Sequence, residues 1–189
     1  MSEQRMAGLD ARVRRLVADD WAGLRAARLA ALAEAPYAFG STLAREQAFD
    51  EELWRSRAGS GWTFGAFDGP AIVGLATALP PDDLPGDGEP GDGELGEDPP
   101  GDCEPAWHLV GMWVAPGCRG QGLADRLVEA VREQALQAGA RTVTLWVTEV
   151  NDRARAFYRR LGFAPTGARQ LVRPEEPDHW EEELALRLR

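Results

Sequence analysis

A chain of 189 residues holds one domain of about 150 residues with some sequence to spare, and is too short for two full domains. A hydrophobic content of 44% and seven tryptophans exclude disorder throughout, and the lack of any lysine excludes a phosphate-binding loop of the lysine type. The net charge of −10 is local: ten acids and no basic residue fall between Pro80 and Pro105, and outside that stretch 21 acids meet 21 arginines, which leaves no basic footprint for nucleic acid.

The first strand is expected over Ala11 to Val17, followed by a helix from about Trp21 that Asp19 or Asp20 caps and Pro36 ends, with Leu24, Ala27, Arg28 and Ala31 at helical spacing. A second helical segment is expected from about Thr42 to Arg57, with a break near Asp50. Trp62 to Phe67 and Ala71 to Leu79 read as two strands of a hairpin turned at Asp68-Gly69-Pro70. The apolar run Ala71 to Leu79 is bounded by prolines and falls far short of the ~20 residues of a membrane span. The first residues lead into no apolar run of the signal-peptide kind, and only Cys103 and Cys118 could pair, so a reduced, cytoplasmic setting is expected.

Residues 80–105 are built almost wholly from Pro, Gly, Asp and Glu, a composition that cannot offset an ordering entropy of roughly 1–2 kcal/mol per residue, so a mobile acidic loop is expected there. A tolerated surface insertion is the simpler account, and an acidic lid for a cationic substrate the functional one. Trp107 to Val114 reads as a strand apolar on both faces. A glycine-bearing turn and a helix from Gly122 to about Ala138 follow, then a strand over Thr142 to Val147 and a helix from Asp152 to Leu161. The last strands are expected near Gly167 to Val172 and Glu182 to Leu188.

A strand, a glycine turn and a helix in succession converge backbone N–H groups and the positive end of a helix dipole on one point, which attracts a phosphate. Gly120 and Gly122 let the backbone approach ligand oxygens, Ala124 keeps the helix start close, and Arg119 adds positive charge. The stretch Val114 to Ala124, with Arg119, Gly122 and Ala124 at the defining positions, resembles the [QR]-x-x-G-x-[GA] motif of the GNAT superfamily of N-acetyltransferases. Asn151 and the run Ala154 to Phe163 resemble that family's N-x-x-A-x-x-x-Y-x-x-x-G-F segment, and the resemblance covers about Arg12 to Leu188.

The resemblance implies a single α/β domain of the α+β type over residues 11–189, after a flexible tail over residues 1–10. Its mixed, mostly antiparallel sheet would hold about seven strands, with strands four and five splayed, flanked by about four helices. It further implies acetyl-CoA as cosubstrate, with the pantetheine arm on the backbone of Met112, Trp113 and Val114 and on Asn151. The pyrophosphate would lie on Gly120, Gln121, Gly122, Leu123, Ala124 and Asp125, and Gly111 would mark the bulge that parts the strands.

Tyr158 matches the tyrosine that family members use as general acid, and a phenol with pKa ≈ 10 keeps its proton at pH 7. Several relatives place a basic glutamate on strand four or five, where this sequence has His108 and Trp146; His108 is therefore the candidate base, with Glu46 and Tyr37 weaker ones. The acceptor would be an amine on a small molecule or protein, with no nucleic-acid or membrane partner. Dimerisation is common in the family, so a homodimer is compatible with the resemblance. Cys118 has no partner base in the sequence, and Glu175, Glu176, Asp178 and His179 read as a solvated loop, so no metal is expected. Two alternatives stand beside this reading: a non-catalytic acyl-CoA sensor, and a dinucleotide-binding protein, for which Asp125 replaces the third glycine.

Overall fold

Residues 11–81 and 106–189 are described in this computed structural model, so the expected tail and nearly all of the acidic insertion lie outside the described residues. The elements run β1 Arg12–Arg15, α1 Trp21–Glu34, α2 Leu43–Gln47, α3 Glu51–Gly59, β2 Thr63–Asp68, β3 Ala71–Leu79, β4 Trp107–Val114, α4 Leu123–Gln137, β5 Thr142–Thr148, α5 Asp152–Arg160, β6 Ala164–Leu171 and β7 Trp180–Arg187. The strands form a seven-stranded sheet in the order β1-β2-β3-β4-β5-β7-β6. This is the mixed α/β domain the sequence implies, with five described α-helices rather than about four. No helix among the described residues is long and apolar enough to cross a membrane.

The chain divides into two units, Met1–Ala76 with Gly111–Ala130 and Thr77–Val110 with Val131–Arg189. In the first, β1 pairs antiparallel with β2 from Arg12↔Phe67 to Arg15↔Phe64. The strand stops short of the expected Val17 because the Val17 amide donates to the Asp20 carboxylate at 2.9 Å, turning the chain into a 3-10 turn before α1. Asp20 thus sits at the N-cap of α1 but bonds backward to Val17 and Arg14 instead of capping the helix. Leu24, Ala27, Ala31 and Leu32 are the buried side of α1. The second helical segment is two helices because it carries two caps: Thr42 accepts from the Arg45 amide at 3.2 Å and Asp50 from the Leu53 amide at 2.8 Å. Each such cap is worth about 1 kcal/mol.

Gly74 shows why β3 needs a residue without a side chain. A Cβ there would lie 3.0 Å from Leu127 Cδ1, 3.2 Å from the Trp113 carbonyl oxygen and 3.3 Å from Ala66 Cβ, so the start of α4 presses directly on β3. Leu123, Leu127 and Val128 are the buried residues of that helical turn.

In the second unit, β5 and β7 pair antiparallel along their length, from Thr142↔Arg187 to Thr148↔Glu181. β4 pairs parallel with β5 at Trp107↔Val143 and His108↔Thr144, and Gly111 takes φ 65°, a left-handed backbone that favours glycine. Val143, Leu145, Val147, Leu184 and Leu186 are buried, so β7 turns its leucines inward at alternate positions. β6 begins at Ala164 and β7 at Trp180, each earlier than the pattern suggests. The β6–β7 register shifts between Pro165 and Arg169, at Gly167 with φ 96°, and that irregularity breaks the period-two signal.

Candidate active site

The turn between β4 and α4 is fixed at its near end by the Ala115 amide, which donates to the Val73 carbonyl, and by the Cys118 amide, which donates to the Ala115 carbonyl, both at 2.8 Å. Gly120 and Gly122 then take φ 77° and 75°, a left-handed backbone that favours glycine. A Cβ on either would meet no atom within 4 Å, so the chain itself does not crowd these glycines; a side chain there would stand in the space ahead of α4. The Arg126 amide closes a bond to the Gly122 carbonyl at 3.2 Å. The amides of the helix's first turn have no earlier helical carbonyl to bond, and with the helix dipole they make an anion cradle. A pyrophosphate fits that donor set.

Arg119 does not stand free beside this cradle. Its Nε donates to the Val114 carbonyl at 2.8 Å and its Nη2 to Glu34 Oε2 at 2.6 Å, and Glu34 Oε2 also accepts from Trp113 Nε1 at 3.0 Å. The guanidinium clamps the end of β4 to the end of α1, so much of its charge is spent on Glu34. Glu34 carries no local signal in the sequence, since its partners are 79 and 85 residues away. Trp113 and Val114 are buried and Met112 half-buried, while Gln121 is exposed, its Nε2 3.5 Å from the Gly117 carbonyl.

In the second unit, His108 is half-buried with Nδ1 2.6 Å from Thr144 Oγ1, its neighbour in register on β5. Burial lowers the imidazole pKa, and the Glu183 carboxylate partly opposes that. Thr144 and Glu183 are the partners that sequence reading misses, because only the strand register sets them beside His108. Tyr158 is buried on α5, edge-on to Phe157 and Phe163 with ring centroids 5.1 and 5.6 Å away. Burial pushes its phenol pKa up, and its hydroxyl has no hydrogen-bond partner among the described residues. Asn151 caps α5, its Oδ1 accepting from the Ala154 amide at 3.1 Å, which leaves its amide NH₂ as a donor.

The weaker candidates have other employment. Glu46 is only 1% exposed and is held by Arg28 at 2.8 Å and Arg57 at 3.4 Å. Burial pushes its carboxyl up, but the Arg28 bonds, with Ser41 and Arg57, outweigh that and hold it below the usual range, so it is no proton acceptor near neutrality. Tyr37 is exposed in a 3-10 turn. Glu176 is taken by Arg173 and His179.

Among solved structures, the chain is similar to a GNAT-family acetyltransferase of Streptococcus pneumoniae, with 17% identity and TM-score 0.69, covering 95% of this chain and 100% of that one. It is also similar to yncA of Salmonella typhimurium, solved with its cofactor acetyl-CoA, at 16% identity, TM-score 0.66 and 95% coverage of each chain. These likenesses establish the fold. An uncharacterised N-acetyltransferase of Methanocaldococcus jannaschii is 42% identical over 52 residues, a stretch that spans 28% of this chain and 23% of that relative. Residues 26–163, from α1 through α5, match the acetyltransferase (GNAT) family, and the chain belongs to it.

Proposed function

We propose that the protein transfers the acetyl group of acetyl-CoA to a primary amine by direct attack in a ternary complex. The observation that carries this reading is the cradle ahead of α4, where Gly120 and Gly122 hold a left-handed backbone with open space at both Cβ positions. In this reading the amides of Gly120, Gln121, Gly122, Leu123, Ala124 and Asp125 hold the pyrophosphate. The backbone of Met112, Trp113 and Val114 and the free amide of Asn151 take the pantetheine arm. Arg119 works by fixing the Val114 end of the strand through its bonds to Val114 and Glu34.

Bound acetyl-CoA supplies an acetyl thioester whose leaving group is a thiolate. Formation of the C–N bond requires that the amine lose a proton and the departing sulfur gain one. His108 accepts the first: with Nδ1–H donated to Thr144 Oγ1, its Nε2 keeps a lone pair, and burial keeps the ring neutral at pH 7. Tyr158 donates the second, since burial holds the proton on its phenol throughout the working range. Positioning of the two reactants supplies much of the remaining acceleration.

The test is release of free CoA thiol from acetyl-CoA across a panel of amines, beside calorimetric binding of acetyl-CoA. Turnover with at least one amine supports the proposal. Tight acetyl-CoA binding with no turnover on any amine points instead to an acyl-CoA sensor, and no binding overturns both readings.

A further inference from the structure

The register of β4, β5 and β7 assembles one sheet face. His108 pairs with Thr144, Trp146 with Glu183 and Thr148 with Glu181, and paired residues project to the same side while their neighbours along each strand project to the other. The opposite side carries the buried Val143, Leu145, Val147 and Leu184. The face that bears the proposed base therefore also bears two half-buried carboxylates and a half-buried indole.

These groups lack the partners their counterparts have. Glu46, Glu149 and Glu182 are all bonded to arginine. Glu181 accepts a hydrogen bond only from Gln170 Nε2 at 2.8 Å and Glu183 only from Thr166 Oγ1 at 2.7 Å, so among the described residues neither carboxylate is paired with an arginine, and the imidazole of His179 reaches Glu181 only as a Coulombic neighbour. Trp21, Trp54 and Trp180 each lie beneath an arginine, whereas Trp146 has no ring, cation or hydrogen-bond partner among the described residues. A further observation is independent of the acids: Thr148 is 2% exposed, stands in register with Glu181, and its Oγ1 is buried with no hydrogen-bond partner among the described residues. That oxygen lacks a donor, the carboxylates lack a permanently charged partner and the indole lacks a cation. An alkylammonium group, with three N–H donors and one charge, supplies all three.

We infer that the acceptor is an amine carrying a second alkylammonium group, which docks on Glu181, Glu183, Trp146 and Thr148 while the reacting nitrogen is presented to His108. This rests on the acetyl-transfer reading and names the substrate class for it. Glu183 lies two strands across and two residues along from His108, about 12 Å between backbones, so the two nitrogens are separated by an alkyl spacer of several carbons. Burial raises the Glu181 carboxyl pKa, and the Gln170 hydrogen bond and the Coulombic pull of His179 oppose that without cancelling it.

A free diamine and a lysine-bearing peptide present the same chemistry. Calorimetric titration of the full chain with putrescine, dilysine and butylamine separates them. Putrescine or dilysine should bind at least tenfold more tightly than butylamine, and the tighter of the two identifies the source. In Glu181→Gln/Glu183→Gln the preference should disappear. Raising the salt should weaken the dication more than butylamine on the unmodified protein, a readout that does not depend on the variant folding. Equal affinity for all three ligands, or a preference that survives both the double substitution and high salt, would overturn the inference. Its failure is separate from failure of the acetyl-transfer reading, which is read from acetyl-CoA binding and thiol release.

Discussion

Tyr158 combines a packed ring with an unpartnered hydroxyl, so its two roles can be separated by one oxygen atom. Tyr158→Phe keeps the contacts with Phe157 and Phe163 and removes only the proton donor. Stability should change by less than about 1 kcal/mol, while kcat falls by roughly 10²–10³ with acetyl-CoA affinity retained. Steady-state kinetics beside thermal unfolding checks both halves. His108 gives a second residue-level prediction through its lowered pKa, set by burial against Glu183, with Thr144 on β5 as its bonded neighbour. Because the neutral ring is the base, kcat/KM should hold near neutrality and fall as the pH drops through a value below 6.5. The unfolded chain binds more protons in that window, so stability also declines toward low pH. In His108→Gln the acidic limb should vanish from the residual kcat/KM profile; an unaltered limb would show that another group titrates there.

At the scale of elements, Glu46 joins three helices: it lies on α2 and bonds Arg28 of α1 and Arg57 of α3. Removing a buried partner from such a pair leaves an uncompensated charge, and costs 3–5 kcal/mol when the remaining charge is well buried. Arg28 keeps 16% side-chain exposure and Arg57 43%, so Glu46→Gln belongs at the lower end, about 3 kcal/mol by urea unfolding. Arg28→Met with Glu46→Leu should recover most of that loss, since only Arg57, with 43% side-chain exposure, is then left without its partner. Because the folded carboxyl titrates below its unfolded value, this stabilisation is complete above the ordinary carboxylate range and is lost as the pH falls through the lower folded pKa. The loop ahead of α4 separates stability from binding. Gly122→Ala faces a positive φ that costs about 1–2 kcal/mol, while its methyl enters the open cradle. Acetyl-CoA affinity should fall at least tenfold, beyond what that stability loss explains. The glycine loop and the break near Asp50 in the second helical segment were legible because each is a local pattern of a few residues. Glu34, Thr144 and Glu183 were not, because tertiary packing or strand register brings them to Arg119, His108 and their neighbours, and no short window of sequence encodes that.

At the scale of the whole molecule, the order of elements was readable because β4 and β5 are short apolar runs and α4 and α5 carry helical apolar spacing, with glycine-bearing turns or a cap between them. The one large departure from that order is chemical. Deleting residues 82–104 removes ten acids and no basic residue, which takes the net charge from −10 to zero. Two consequences follow from charge alone. The full chain, with a sequence pI near 4.7, repels its copies at pH 7, and the shortened chain loses that repulsion, so its solubility should be lowest near neutral pH. Long-range attraction of a cationic acceptor is the other, but it is screened over a Debye length of about 8 Å at physiological ionic strength. Binding of a dication should therefore depend on Glu181 and Glu183, which pair in register on β7 with β5, more than on the net charge of the deleted stretch. At 0.15 M salt, kcat and kcat/KM of the shortened chain should stay within about twofold of the full chain's. A large rise in KM for a diamine under those conditions, with KM for acetyl-CoA unchanged, would show that the acidic stretch takes part in acceptor binding and is more than a tolerated insertion.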